Sequence, residues 1–344
     1  MRSAKFGPDG NITLDMPLDN WLTAPDWFPF KNGTGRRIPV PEVAGSSARV
    51  FRGKVQNWSR PIDPAIKLMR PEKPWYGLPL FKREVMALRL LNGTPGVTRL
   101  YEFGYLKPDL GVTYPVEDFP KQKADEVKTS GACIKGNAEI FDLEEYEDYL
   151  QQMEARTKDG WLPFLVLERR VDICLYLMSD LHYTSGKNFT HFDMEDKLNC
   201  ALQICAIMQS GHDNQLTYKD HKINHYYYNR YSKTVSVLDW NIGDGPMQAL
   251  TEDQIAFDIL QFSARVLHHL ISGRVAPGAI GVAPTRPDEI NSAPKTYQPD
   301  WNHDDRHYIP KNILDLLEFA LSGGYKTCEH LINDLSDHVS QPQN

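Results

Sequence analysis

The amino-acid sequence predicts an α+β fold in two lobes: a small antiparallel β lobe carrying one long helix, then a larger, mostly helical lobe. Three observations predict it. Short β-rich runs broken by Gly and Pro fill residues 38–70, a helical pattern follows at 79–91, and from residue 195 onward apolar residues recur mainly at helical spacing. The 344 residues are enough for one large two-lobed domain or two ordinary ones, with a substantial core.

Taken in order, residues 1–37 hold Trp21, Trp27, Phe28 and Phe30 among prolines, aspartates and glycines, with no period of 2 or 3.6, and read as an irregular arm packing its aromatics on the body or docking a partner. The small lobe spans 38–168. Its strands are Ile38–Val43, Ala48–Val55 and Pro64–Arg70, followed by a helix over Pro79–Leu91, where Leu80, Phe81, Val85, Leu88 and Leu91 share a face and Asn92–Gly93 stops it. Val97–Tyr105 returns to strand. The polar stretch 107–160, with an acidic helical segment at Leu143–Leu150, reads as an insertion within a hairpin, because Leu162–Glu168 resumes the extended apolar pattern. The large lobe covers 169–338 and the tail 339–344. Helices are expected over Glu195–Ser210, Asp253–Ser272, Ile309–Ser322 and Cys328–Leu335.

Composition excludes several classes. Apolar residues at 41% and charged residues at 24% are ordinary for a globular chain, so disorder is not the default. A net charge of −7 provides no basic field for nucleic acid or an anionic membrane, and neither is expected as a partner. No apolar run reaches the roughly 18 residues of a membrane span, and the N-terminus has no apolar signal core. Five scattered cysteines without Cys-x-x-Cys spacing point to buried thiols in a reducing compartment, and the chain is expected to be cytoplasmic.

The stretch with the most chemistry is Asp220–His221–Lys222–Ile223–Asn224–His225, followed by Tyr226–Tyr227–Tyr228–Asn229 and then Val237–Leu238–Asp239–Trp240–Asn241. Upstream, Ala65–Ile66–Lys67 ends an apolar run, and Glu84 lies seventeen residues beyond Lys67 at the start of the helical pattern. These pieces, in this order over residues 38–338, resemble the protein kinase superfamily. The resemblance implies a bilobal fold with a nucleotide in its cleft and transfer of the ATP γ-phosphoryl group to a hydroxyl, with Mg²⁺ or Mn²⁺.

Residue by residue, the resemblance makes Lys67 the lysine on the phosphates and Glu84 its ion-pair partner. Gly45, Ser46, Ser47, Ala48 and Val50 become the loop and strand above the nucleotide, Ala65 lies beside it, and Glu168 ends the lobe-linking hinge. Asp220 orients the acceptor hydroxyl, Lys222 neutralises the transferred group, and Asp239 holds metal. Asp258 matches a helix aspartate that ties down the catalytic loop. The family's second metal ligand is an asparagine five positions after the catalytic aspartate. Here that position is His225 and Asn224 stands one earlier, so either His225 takes the ion, with an imidazole favouring Mn²⁺ over Mg²⁺, or a shifted loop leaves Asn224 on it.

Other departures accompany this one. The loop at 45–53 keeps one loop glycine, Tyr218–Lys219 replaces His–Arg, Trp240–Asn241 replaces Phe–Gly, and Ala–Pro–Glu is absent. The expected function is an atypical kinase whose acceptor is a protein. The alternatives are a pseudokinase serving as a nucleotide-binding scaffold or regulatory module, and a small-molecule phosphotransferase. In the polar patch 302–307, His303 and Asp305 have metal-ligand chemistry but read as a solvated loop.

Overall fold

The computed structural model describes residues 1–17, 21–22, 38–39, 47–71, 74–109, 134–175, 192–246, 248–279, 287–299 and 309–339. Gly45, Ser46, the arm aromatics Trp27, Phe28 and Phe30, the 302–307 patch and residues 340–344 lie outside them. The described residues fall into two compact units. One holds residues 1–17, 21–22, 38–39, 47–71, 74–92, 98–109 and 134–171; the other holds 93–97, 172–175 and the described residues from 192 onward.

The first unit is a closed seven-stranded barrel. Its strands are β1 (Arg2–Phe6), β2 (Ile12–Pro17), β5 (Ala48–Val55), β6 (Ala65–Met69), β7 (Leu100–Pro108), β8 (Gly136–Phe141) and β9 (Leu162–Leu167), in the order β1-β2-β5-β6-β9-β7-β8. A two-residue pair, β3 (Trp21–Leu22) with β4 (Ile38–Pro39), is separate. All barrel pairings are antiparallel except a parallel contact of Phe6 with Ile12.

Three sequence expectations change here. Residues 2–6 and 12–17 are not irregular arm but strands that complete the barrel. The strand expected at 38–43 is described only at Ile38–Pro39, and the neighbour of β5 is instead β2, through Ile12↔Val55 and Leu14↔Gly53. The hairpin of β7 and β9 forms as expected, but its 107–160 insertion is no appendage. Within it β8 pairs with both β7 and β1, closing the cylinder. Closure leaves no unpaired edge among these strands.

Helix α1 (Pro74–Leu90) presents Leu80, Phe81, Glu84, Val85 and Leu88 as its buried face. It begins five residues before the expected Pro79. Proline at 79 removes only the hydrogen bond to the carbonyl of Trp75, a residue that is exposed near the helix start. Helix α2 (Tyr146–Lys158) seals the barrel with Tyr149, which stacks on Tyr105 at 4.7 Å and meets Phe103 at 4.6 Å. Phe6 and Phe164 meet edge to face at 5.1 Å.

The second unit is built on α3 (Met194–Asp213), whose Asp193 cap accepts from the Asp196 amide at 2.9 Å. Against α3 lies α8 (Cys328–Val339). Between them in sequence are α4 (Glu252–Phe262), opened by a capping box of Thr251 and Gln254, a wider π turn over Ser263–Leu267, α5 (His268–Ser272), α6 (Pro287–Asn291) and α7 (Lys311–Leu321). A small sheet of β10 (Ile173–Cys174), β11 (Tyr226–Asn229) and β12 (Thr234–Val237) accompanies them. Cys174, Cys200, Cys205 and Cys328 are buried and free. No described helix is long and apolar enough to cross a membrane.

Candidate functional site

In the barrel unit, strand alternation gathers four of the residues expected around a nucleotide. Cross-strand pairs Ala48↔Met69, Val50↔Lys67 and Arg52↔Ala65 put Ala48, Val50, Ala65 and Lys67 on one face of the β5–β6 pair. Lys67 is buried, and its Nζ donates to Glu84 Oε1 at 2.9 Å and approaches Oε2 at 2.7 Å. A lysine and a glutamate seventeen residues apart thus form one buried ion pair, the lysine from β6 and the glutamate from the apolar face of α1. The Ser47 carbonyl accepts from the Arg70 amide at 3.0 Å. Glu168 donates its amide to the Arg99 carbonyl at 2.9 Å and pairs with Arg170 at 2.9 Å.

In the helical unit, the chain leaving α3 forms the loop 216–225, which Asp258 of α4 grips. Asp258 is fully buried and accepts four hydrogen bonds: from the Tyr218 amide at 2.9 Å, the Lys219 amide at 2.6 Å, His212 Nε2 at 2.9 Å and His221 Nε2 at 3.0 Å. Burial opposes its ionisation, but His221 and His212 outweigh it and hold the carboxyl far below the ordinary range. Beyond them, Tyr226 O–H reaches His221 Nδ1 at 2.7 Å and the Cys328 thiol faces His212 Nδ1 at 3.5 Å. The grip matters because Lys219 sits at φ 58°, a left-handed conformation that a lysine adopts only when its surroundings impose it.

The loop delivers Asp220 to a buried position. Lys222 Nζ donates to its Oδ2 at 2.9 Å, and the Arg265 guanidinium stands 3.8 Å from Oδ1. Burial alone would raise the Asp220 pKa; Lys222, His225 and Arg265 overcome it and leave the carboxyl below its usual value. Lys219 pairs with Asp244 at 2.7 Å, pinning the segment after Asp239 to this loop.

The β11–β12 hairpin supplies the other half. Its register, Tyr226↔Val237, sets Leu238 beside His225, whose carbonyl accepts from the Leu238 amide at 3.0 Å. Asp239 follows at φ 64°. His225 Nε2 is 3.8 Å from Asp239 Oδ2, and Nδ1 is 4.0 Å from Asp220 Oδ2. Asp220, His225 and Asp239 each place a ligand atom within 4.8 Å of the other two, one such group among the described residues. Burial, with Lys222 and Arg265 adding to it, drives the His225 pKa down to about 4, so the imidazole is neutral near pH 7 despite the two carboxylates.

The donor set suits a divalent cation. Two carboxylates and a neutral imidazole converge, and Asp220 Oδ1, Asn224 Oδ1 and Asn241 Oδ1 are buried without a hydrogen-bond donor among the described residues. Asn224 lies in the 3₁₀ turn Ile223–His225 and is buried. Asn241, where the family pattern has glycine, donates to Asp239 Oδ1 at 2.6 Å. Trp240 packs edge to face on Tyr218 at 4.9 Å.

Sequence reasoning missed three participants. Arg265 lies two helical turns beyond Asp258, a same-face spacing that was available as a signal. His221 and His212 gave none, because their role depends on a partner from a distant helix.

Among solved structures, the chain is similar to the Cydia pomonella granulovirus kinase PK-1, with 13% identity, 85% of this chain and 90% of that chain covered, and a TM-score of 0.47. No family model matches the chain, and no curated protein matches it significantly.

Proposed function

We propose that this chain is an atypical kinase that transfers the γ-phosphoryl group of ATP to a hydroxyl, with a protein as acceptor. The observation that carries the reading is the convergence of Asp220, Lys222, His225 and Asp239 within one unit. Asp220, ionised and held from both sides by Lys222 and Arg265, orients the acceptor hydroxyl and receives its proton. Lys222 offsets charge on the group in transit. Asp239 and His225 would hold a divalent cation, Mg²⁺ or Mn²⁺, which when bound neutralises phosphate charge. Lys67, fixed by Glu84, serves the phosphates, with Ala48, Val50 and Ala65 on the same face of β5–β6 as apolar neighbours of the nucleotide.

Incubation with radiolabelled ATP, MgCl₂ or MnCl₂ and a panel of protein and small hydroxyl acceptors tests the reading. Labelling by the native chain that falls at least about 100-fold in Asp220→Asn is the expected result. Equal background labelling in both overturns transfer. Metal-dependent thermal stabilisation by ATP in that case assigns the chain to the nucleotide-binding scaffold class.

A further inference from the structure

We propose that Tyr218 locks His225 in the tautomer that turns a bare Nε2 lone pair toward Asp239, making the site selective for nitrogen-accepting first-row divalent ions over Mg²⁺. The inference deepens the proposed cation site and rests on that reading for the presence of an ion.

Counting protons around Tyr218 fixes the tautomer. Tyr218 is buried, and its hydroxyl oxygen lies within hydrogen-bond reach of two groups, the Leu238 carbonyl and His225 Nδ1, the latter at 3.0 Å. A carbonyl can only accept, so the single phenolic proton goes to Leu238. The oxygen is then an acceptor toward Nδ1, and Nδ1 must carry the ring hydrogen. A neutral imidazole has one N–H, which leaves Nε2 unprotonated.

That nitrogen faces Asp239 Oδ2 at 3.8 Å. Two lone-pair bearers, one of them an anion, stand opposite each other without a proton to share. A cation bound by both converts that opposition into attraction. Asp220, the third member, offers an oxygen within 4.8 Å of a ring nitrogen of His225 and of an oxygen of Asp239, and among the described residues its Oδ1 has no hydrogen-bond donor. Mg²⁺ prefers an all-oxygen octahedron, whereas imidazole suits Mn²⁺, Co²⁺ and Zn²⁺. Tyr218 does not touch the ion in this arrangement; it is a positioning residue that fixes the ring and its tautomer from behind.

The test uses the full chain and MnCl₂ or MgCl₂ as the probe, without nucleotide and then with ATP. Electron spin-echo spectroscopy of bound Mn²⁺ reads directly coordinated ¹⁴N. Nitrogen coupling in the native chain, lost in His225→Asn, supports the inference. So does a fall of about 10–100-fold in Mn²⁺ affinity in Tyr218→Phe with little change for Mg²⁺. Mn²⁺ bound without nitrogen coupling overturns it while leaving the proposed kinase reading intact. Equal losses for both ions in Tyr218→Phe overturn the tautomer lock. Absence of binding of either ion, with or without ATP, removes the cation site and the proposed function with it.

Discussion

Replacing Asp258 by asparagine changes one atom and reverses half of the anchor that holds the loop carrying Asp220. The carboxylate accepts four hydrogen bonds at zero exposure, two on each oxygen: the Lys219 amide and His221 on Oδ1, the Tyr218 amide and His212 on Oδ2. An amide keeps one accepting oxygen and turns the other position into a donor. That donor confronts one imidazole, which can change tautomer and accept, and one backbone N–H, which cannot. Hydrogen bonds to a charged group contribute ~1.5–3 kcal/mol each, and a buried donor left without an acceptor costs ~1–3 kcal/mol. Two bonds of the first kind are lost or inverted, so Asp258→Asn should lower stability by ~3–5 kcal/mol. Lys219 at φ 58° then loses part of what imposes its conformation, and the proposed phosphoryl transfer should fall further than stability accounts for. Urea unfolding followed by tryptophan fluorescence measures the first effect, and a transfer assay at saturating stability measures the second. A loss below ~1 kcal/mol would refute the assignment of Asp258 as the loop's anchor.

Lys67→Met leaves Glu84 as a stranded charge on the buried face of α1 and should cost ~3–5 kcal/mol, most of it recovered when Glu84→Met is added. Equal destabilisation in single and double variants would contradict that account. Gly243→Ala should displace the backbone before Asp220, since the new Cβ would stand 1.5 Å from the Thr217 carbonyl oxygen; a transfer rate and urea midpoint both unchanged would be incompatible with this packing. Burial first, then His268 and Lys197, hold His269 neutral down to about pH 4. The unfolded chain takes up that proton near pH 6.5, so stability should decline as pH falls from about 6.5 to 4, by at most ~3 kcal/mol from this residue. The slope should flatten in His269→Gln, as read by urea midpoints across that range.

Much of the candidate site's geometry was legible because its pieces are local. Asp220 and Lys222 are two residues apart, and the apolar alternation before Asp239 marks a hairpin strand that returns to His225. Lys67 and Glu84 were readable together because strand and helix patterns each left one charged residue on a buried face. The rest depended on contacts that no window contains. Strand β1 buries Phe6 as its one fully buried residue, so its alternation carries almost no signal, although Ile12, Leu14 and Met16 did offer a period of 2 in β2. Barrel closure through β8 was hidden by the polar character of 107–160. Lys219 gave its charge but not its partner, since Asp244 reaches it only after the chain has turned past Asp239.

The pairing of β1 with β8 joins Arg2 to Ile140 and Phe6 to Gly136. Strand β1 meets β2 locally at Phe6↔Ile12, but its other neighbour, β8, lies about 130 residues further along, and such distant contacts are slow to form. Until then Phe6, Ile12 and Leu14 have no finished cylinder to enter. The barrel is a late-closing object whose first strands present unpaired edges in the interval.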